Sequence, residues 1–154
     1  MGKGIDLTAV DGTGLRIGLI KTRWNAHITD SLFTRCKDAL IDSNIREEDI
    51  VVIEVPGAYE LPLAAKHLID TGKVDAVIPL GCLIKGETMH FEYIAEAITQ
   101  GIMRLNLDTG IPVVFGVLTV FTEEQAIVRS TDDHNHGYEW GITAVEMALL
   151  RHSK

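Results

Sequence analysis

The chain has 154 residues, of which 46% are apolar and only 6% aromatic, and carries a formal charge of −8. That length suits a single domain with an aliphatic core. The acidic balance speaks against nucleic acid and anionic membrane as partners, and no apolar run approaches the ~20 residues of a membrane span.

Residues 1–14 hold four glycines and little apolar periodicity, and read as an N-terminal arm before one domain over 15–154. The run Leu15 to Lys21 predicts a first strand, with Trp24-Asn25 at its carboxyl end. A helix follows from about His27 to Ser43, with Ile28, Leu32, Cys36, Ala39 and Leu40 on one face. Ile50 to Val55 predicts the second strand, stopped by Pro56-Gly57. A short helix carries Leu61, Ala64, Ala65 and Leu68. The third strand is expected over Val74 to Leu80. It feeds a turn bounded by Gly81 and Gly86, and a helix starts near His90. That helix sets Phe91, Ile94, Ala95, Ile98, Ile102 and Leu105 against Glu92, Glu96, Gln100 and Arg104. Pro112 to Thr119 predicts the fourth strand, Thr122 to Arg129 a short helix, and Gly137 to Arg151 the last one.

Strands that are nearly continuous aliphatic runs, alternating with helices, predict a parallel sheet covered on both faces. Ligands of such sheets bind beyond the carboxyl ends of the strands. The chemically unusual residues fall there each time: Trp24-Asn25, Pro56 to Glu60, Gly81 to His90, and Phe115 to Thr119.

Gly81-x4-Gly86-Glu87-Thr88 is one residue from a Walker A loop, but Glu87 stands where lysine is needed. A carboxylate there would repel β- and γ-phosphates, so nucleoside triphosphate hydrolysis is excluded. A monophosphate on the helix start and the Thr88 hydroxyl stays open beside a plain turn. His90, in the first turn of that helix, has a side chain that moves protons near neutrality; a surface histidine is the alternative. Trp24 could stack on a flat ring or simply pack. Arg129 by itself reads as a solvated charge. His134-Asn135-His136 looks like half a metal site without further ligands at useful spacing, so no metal is expected. Cys36 and Cys82 fit neither a zinc nor a disulfide pattern and predict reduced thiols in a cytoplasmic protein. The start of the chain shows no signal or transit pattern.

Taken together, Arg23-Trp24-Asn25, Val55 to Pro62, Gly81 to Glu92, Pro112 to Thr119, Glu124-Gln125-Ala126, and Asn135-His136-Gly137 leading to Ala144 to Met147 resemble the lumazine synthase family. Trp24, Met89 to Ile94 and His134 to Gly137 look most like its fungal branch. The resemblance implies a three-layer α/β/α sandwich with a four-stranded parallel sheet in the flavodoxin-like order 2-1-3-4. It implies condensation of 5-amino-6-ribitylamino-uracil with 3,4-dihydroxy-2-butanone 4-phosphate, without metal or redox cofactor. His90 would be the acid/base. Trp24, Ala58, Tyr59, Glu60, Cys82, Leu83 and Ile84 would bind the pyrimidine and its ribityl chain, with Phe115 added from a neighbouring subunit. Glu87, Thr88 and Arg129 would hold the butanone phosphate, with His136 nearby where many members have lysine. The implied partners are the two small substrates and further copies of the chain, with active sites between subunits.

Three positions depart from the family pattern. Glu87 replaces a small residue and adds negative charge beside the phosphate, which Lys85 and the helix start are expected to offset. Ser130-Thr131 follow Arg129 in place of Ala-Gly. The loop from Ser130 to His136 is short, in a region that in this family influences whether pentamers assemble into sixty-subunit shells, and likeness to the fungal branch favours an isolated pentamer. A flavin- or lumazine-binding protein without catalysis is the alternative, and retained Thr88, His90 and Arg129 speak against it.

Overall fold

The computed structural model describes Ile5 and residues 7–153. Residues 1–4 and 6 of the expected arm lie outside the described residues. Four strands form the sheet: β1 (Ile17–Thr22), β2 (Ile50–Val55), β3 (Ala76–Ile84) and β4 (Gly116–Val120). They alternate with α1 (Ala26–Asp42), α2 (Leu61–Asp70), α3 (His90–Thr109), α4 (Glu123–Arg129) and α5 (His136–His152). All strand pairs are parallel, in the order β2-β1-β3-β4. This is the α/β/α architecture and strand order expected from the sequence.

Two-residue alternation sends side chains to the two faces of the sheet. Ile17, Leu19, Ala76, Ile78, Leu80 and Cys82 join Leu32, Cys36, Leu40, Trp140 and Val145 in one core. Ile20, Val77 and Val117 join Leu61, Ala65, Leu68, Ile98 and Ile102 in the other. Each fully buried aliphatic side chain contributes roughly 1.5–3 kcal/mol. Of the face predicted for α3, Ile98 and Ile102 are buried, while Phe91, Ile94, Ala95 and Leu105 are only partly covered. Among the described residues no helix is long and apolar enough to cross a membrane.

The layer of α1 and α5 is close because two glycines one turn apart remove side chains from the contact. A Cβ on Gly137 would lie 2.3 Å from the Leu32 carbonyl oxygen, and one on Gly141 would lie 2.8 Å from that of Cys36. Asn135 fixes this junction. Its side chain caps α5 by accepting from Gly137 N at 2.8 Å, and donates to Ser31 O at 3.1 Å and Ser130 O at 2.8 Å.

Two strand limits differ from expectation by more than two residues. β3 does not stop at Leu80 but continues to Ile84, because Leu80 to Ile84 pair with Gly116 to Val120. Gly81 is therefore a strand residue, not a turn glycine; a Cβ there would lie 3.2 Å from Leu61 Cδ1. β4 starts at Gly116 rather than Pro112, with one isolated pairing earlier, Val77 with Val113. Pro79 sits between those pairings and has no N–H to donate.

At the amino end of the sheet, buried Asp75 accepts from Arg16 N at 2.7 Å and meets the Arg16 guanidinium at 3.5 Å and His152 Nε2 at 3.3 Å. Burial raises its pKa, but these partners outweigh burial and hold the carboxyl below its ordinary value. A carboxyl depressed on folding stabilises above its unfolded pKa of about 3.9, and the contribution is lost as pH falls through the folded value. Acid is therefore expected to lower the denaturant midpoint of the wild-type protein below about pH 4. Asp75→Asn should be weaker at neutral pH and flatter across that acid range. Equal acid dependence in both proteins would remove Asp75 from this account.

Candidate active site

Beyond Pro79, β3 leaves β1 and pairs only with β4, while β1 stays with β2 to the end. The sheet parts at its carboxyl edge, between the two strands whose connections run to opposite sides. A cleft of about 630 Å³ opens there, lined by Thr22, Trp24, Asn25, Gly57 to Glu60, Cys82 to Ile84, His90 and Ile94. Sites of this size and place are typical of small-molecule binding in open α/β sheets.

Each wall has a local cause. The turn after β1 is anchored by Trp24 N, which donates to Pro56 O at 3.1 Å. Trp24 is 73% exposed, with its indole at the wall of the cleft. It lies against Gly57, where a Cβ would come within 2.8 Å of Trp24 Cδ1. The 3-10 turn Ala58–Glu60 closes on itself: Glu60 Oε2 accepts from Gly57 N at 3.1 Å, which holds the carboxylate at the rim. Cys82, Leu83 and Ile84 arrive because β3 is longer than predicted. Burial, aided by Glu123, pushes the Cys82 thiol up to about 11.

Lys85 to Met89 form the turn into α3. His90 N donates to Thr88 Oγ1 at 3.4 Å, and the free N–H groups of this 20-residue helix point into the turn. Glu87 and Thr88 are exposed at its tip. Lys85, expected to offset Glu87, instead pairs with Glu92 and lies over the Phe91 ring at 5.9 Å. The neutralising influence at Glu87 is left to the helix start.

Three expected residues lie elsewhere on the same chain. Phe115 lines an apolar cleft of about 550 Å³ with Trp140 and Met147, beside the free edge of β4. Arg129 and His136 line a separate cleft of about 600 Å³ with Val128, His134 and Tyr138. A capping box, in which Thr122 Oγ1 accepts from Gln125 N at 3.2 Å, sets the direction of α4 and hence of Arg129. Arg129 donates to Gln125 O at 3.0 Å, and among the described residues it pairs with no carboxylate. Burial holds His136 below the ordinary histidine pKa, partly countered by Glu139. Among the described residues, no three His, Cys, Asp or Glu side chains gather as metal ligands.

A family model described as 6,7-dimethyl-8-ribityllumazine synthase matches residues 14–152. The chain belongs to the 6,7-dimethyl-8-ribityllumazine synthase family. It is similar to the protein of that name from Schizosaccharomyces pombe, 44% identical over 96% of this chain and 94% of the relative. It is also similar to the one from Pyricularia oryzae, 41% identical over 92% of this chain and 90% of the relative. Both organisms are fungi, as the Trp24 and Met89 to Ile94 motifs led us to expect. The match to the synthase family spans every candidate residue from Trp24 to His136.

Thr22, Asn25 and Ile94 also line the cleft, and the sequence reading gave them no role. A signal existed for Asn25: an asparagine between a strand and a helix is suited to a left-handed turn. Nothing local marks Thr22, which ends a buried strand. Gly57→Ala is expected to displace the Trp24 indole and alter its fluorescence. The change should vanish in a Trp24→Phe background, where Trp140 alone emits, and stability should move by under about 1 kcal/mol. Unchanged emission would show that Gly57 does not place the indole.

Proposed function

We propose that the chain condenses 5-amino-6-ribitylamino-uracil with 3,4-dihydroxy-2-butanone 4-phosphate to give 6,7-dimethyl-8-ribityllumazine. The observation that carries this reading is the cleft between β1 and β3, which gathers Trp24, Ala58 to Glu60, Cys82 to Ile84 and His90 in a member of this family. The exposed indole of Trp24 stacks on the pyrimidine. Ala58, Tyr59 and Glu60 bind the ring and ribityl chain, and Cys82 to Ile84 form the opposite wall.

The amine of the pyrimidine adds to the ketone, and loss of water gives an imine. Phosphate is eliminated, and ring closure releases a second water. Each step moves a proton, and His90 at the cleft wall gives and takes it. Holding both substrates in one geometry lowers the barrier further. The phosphate sits at the start of α3, with Thr88 and the free backbone N–H groups as donors. Glu87 opposes it, so a cation is required.

That cation comes from another copy in this reading. Arg129 and His136, and separately Phe115, lie in clefts apart from His90 on one chain. We place them across a subunit boundary, in a homopentamer whose sites lie between neighbours. Bound phosphate would raise the depressed pKa of His136 and add a second positive charge. The two cysteines are free and buried, which suits the reducing cytoplasm.

Purified protein mixed with both substrates should form fluorescent lumazine well above the spontaneous rate; no excess would end the assignment. His90→Ala is expected to lower kcat by about 10²-fold, the low end for acid/base catalysis. Its thermal midpoint should not move, since His90 is exposed. Unchanged turnover would exclude His90 from the proton steps. Sedimentation equilibrium should give five chains per particle, and a monomer that turns over would refute the shared site.

A further inference from the structure

The end of β1 is joined to β3 by side chains rather than by its backbone. The β1–β3 ladder stops at Ile20 with Pro79, although β3 runs on to Ile84. Past that point the carbonyls of Leu80 and Cys82 face β1 without strand partners. Thr22 Oγ1 donates to Leu80 O at 3.1 Å, and Asn25 Nδ2 donates to Cys82 O at 3.0 Å. Two side chains thus take up, one after the other, the acceptors that a continued ladder would have used. They join the strands past the point where the ladder stops.

Asn25 is specialised for this. It occupies the N-cap position of α1, where an asparagine ordinarily accepts from the helix's own first N–H groups. Here its side chain makes no such bond. Its backbone is left-handed, at φ 59° and ψ 43°, which turns the amide away from α1 and toward β3. Thr29 Oγ1 donates to Thr22 O at 3.0 Å and ties the same corner to the first turn of α1. Trp24 lies between the two clamping residues, and Cys82 to Ile84 lie on the strand they hold.

We propose that Asn25, seconded by Thr22, is a positioning residue for the ring-substrate site: its amide sets the spacing of β1 and β3 where their ladder stops, and so the distance from Trp24 to the Cys82–Ile84 wall. The catalytic part of this proposal rests on the function proposed above; the geometric part does not. Asn25→Asp keeps the size and the left-handed turn but puts a carboxylate against a carbonyl. Asn25→Gly keeps the turn at no steric cost and removes the amide. Thr22→Val removes the hydroxyl alone.

The test is thiol labelling by iodoacetamide, read by mass spectrometry for each cysteine, beside steady-state kinetics with both substrates. Cys82 lies under the clamp, and Cys36 is fully buried in α1 away from it. Loosening at the clamp should speed Cys82 labelling at least tenfold in Asn25→Asp and Asn25→Gly while Cys36 keeps its wild-type rate. The kcat at saturating substrates should fall by about 10- to 100-fold, the range a small misplacement causes. Thr22→Val should show the same pattern more weakly and serves if the Asn25 variants do not fold. Both cysteines speeding up together would show a staple of global stability and overturn the proposal. Unchanged Cys82 labelling, or unchanged kcat, overturns it as well. Faster Cys82 labelling in a protein whose wild type forms no lumazine would leave the clamp standing and remove only the function.

Discussion

From Ala76 to Pro79, β3 is laddered to β1; from Leu80 to Ile84 its strand pairing is with β4 alone, and β1 continues beside β2. The cleft is the space this change of partners leaves. Its floor is the emerging end of β3, its near wall the turn after β1, and its rim the 3-10 turn over Ala58–Glu60 and the start of α3. A sheet zipped to its carboxyl edge would have no such opening. One left to splay would hold Trp24 at no fixed distance from Leu83. The bonds from Thr22 and Asn25 keep the structure between those extremes.

The same economy recurs elsewhere. Asn135 spends one short side chain on three elements, capping α5 while bonding to α1 and to the residue after α4. Gly137 and Gly141 bring α5 onto the backbone of α1, which stiffens the layer behind the β1 turn. Asparagine and glycine do at these joints what larger side chains do in the cores. Each satisfies or removes a steric or polar demand that a helix or strand cannot meet within itself.

The electrostatics of the turn into α3 follow from which cations are already engaged. Lys85 is the basic residue nearest Glu87 in sequence, yet Glu92 holds it. Arg129 bonds only a carbonyl of its own helix among the described residues, and burial holds His136 below the ordinary histidine pKa. Glu87 stands at the tip of the turn, and Arg129 lies in a different cleft.

Much of this was legible in the chain. Nearly continuous aliphatic runs alternating with helices of period 3.6 pointed to the four strands, the five helices and a sheet covered on both faces. The pairing of Trp24, Glu60, Thr88 and His90 with strand ends followed from the same reading. The limits of β3 and β4 did not follow. Gly81 is a turn residue by composition, and only pairing with β4 makes it a strand residue; Pro79 interrupts a ladder that the local pattern cannot display. Lys85 could have served Glu87 or Glu92, and three-dimensional proximity chose Glu92. By itself the sequence determined the elements and the chemical inventory of the site. Only the tertiary structure decided which residues share a cleft, because the bond from Asn25 to Cys82 crosses 57 positions and depends on strand register, which no local periodicity encodes.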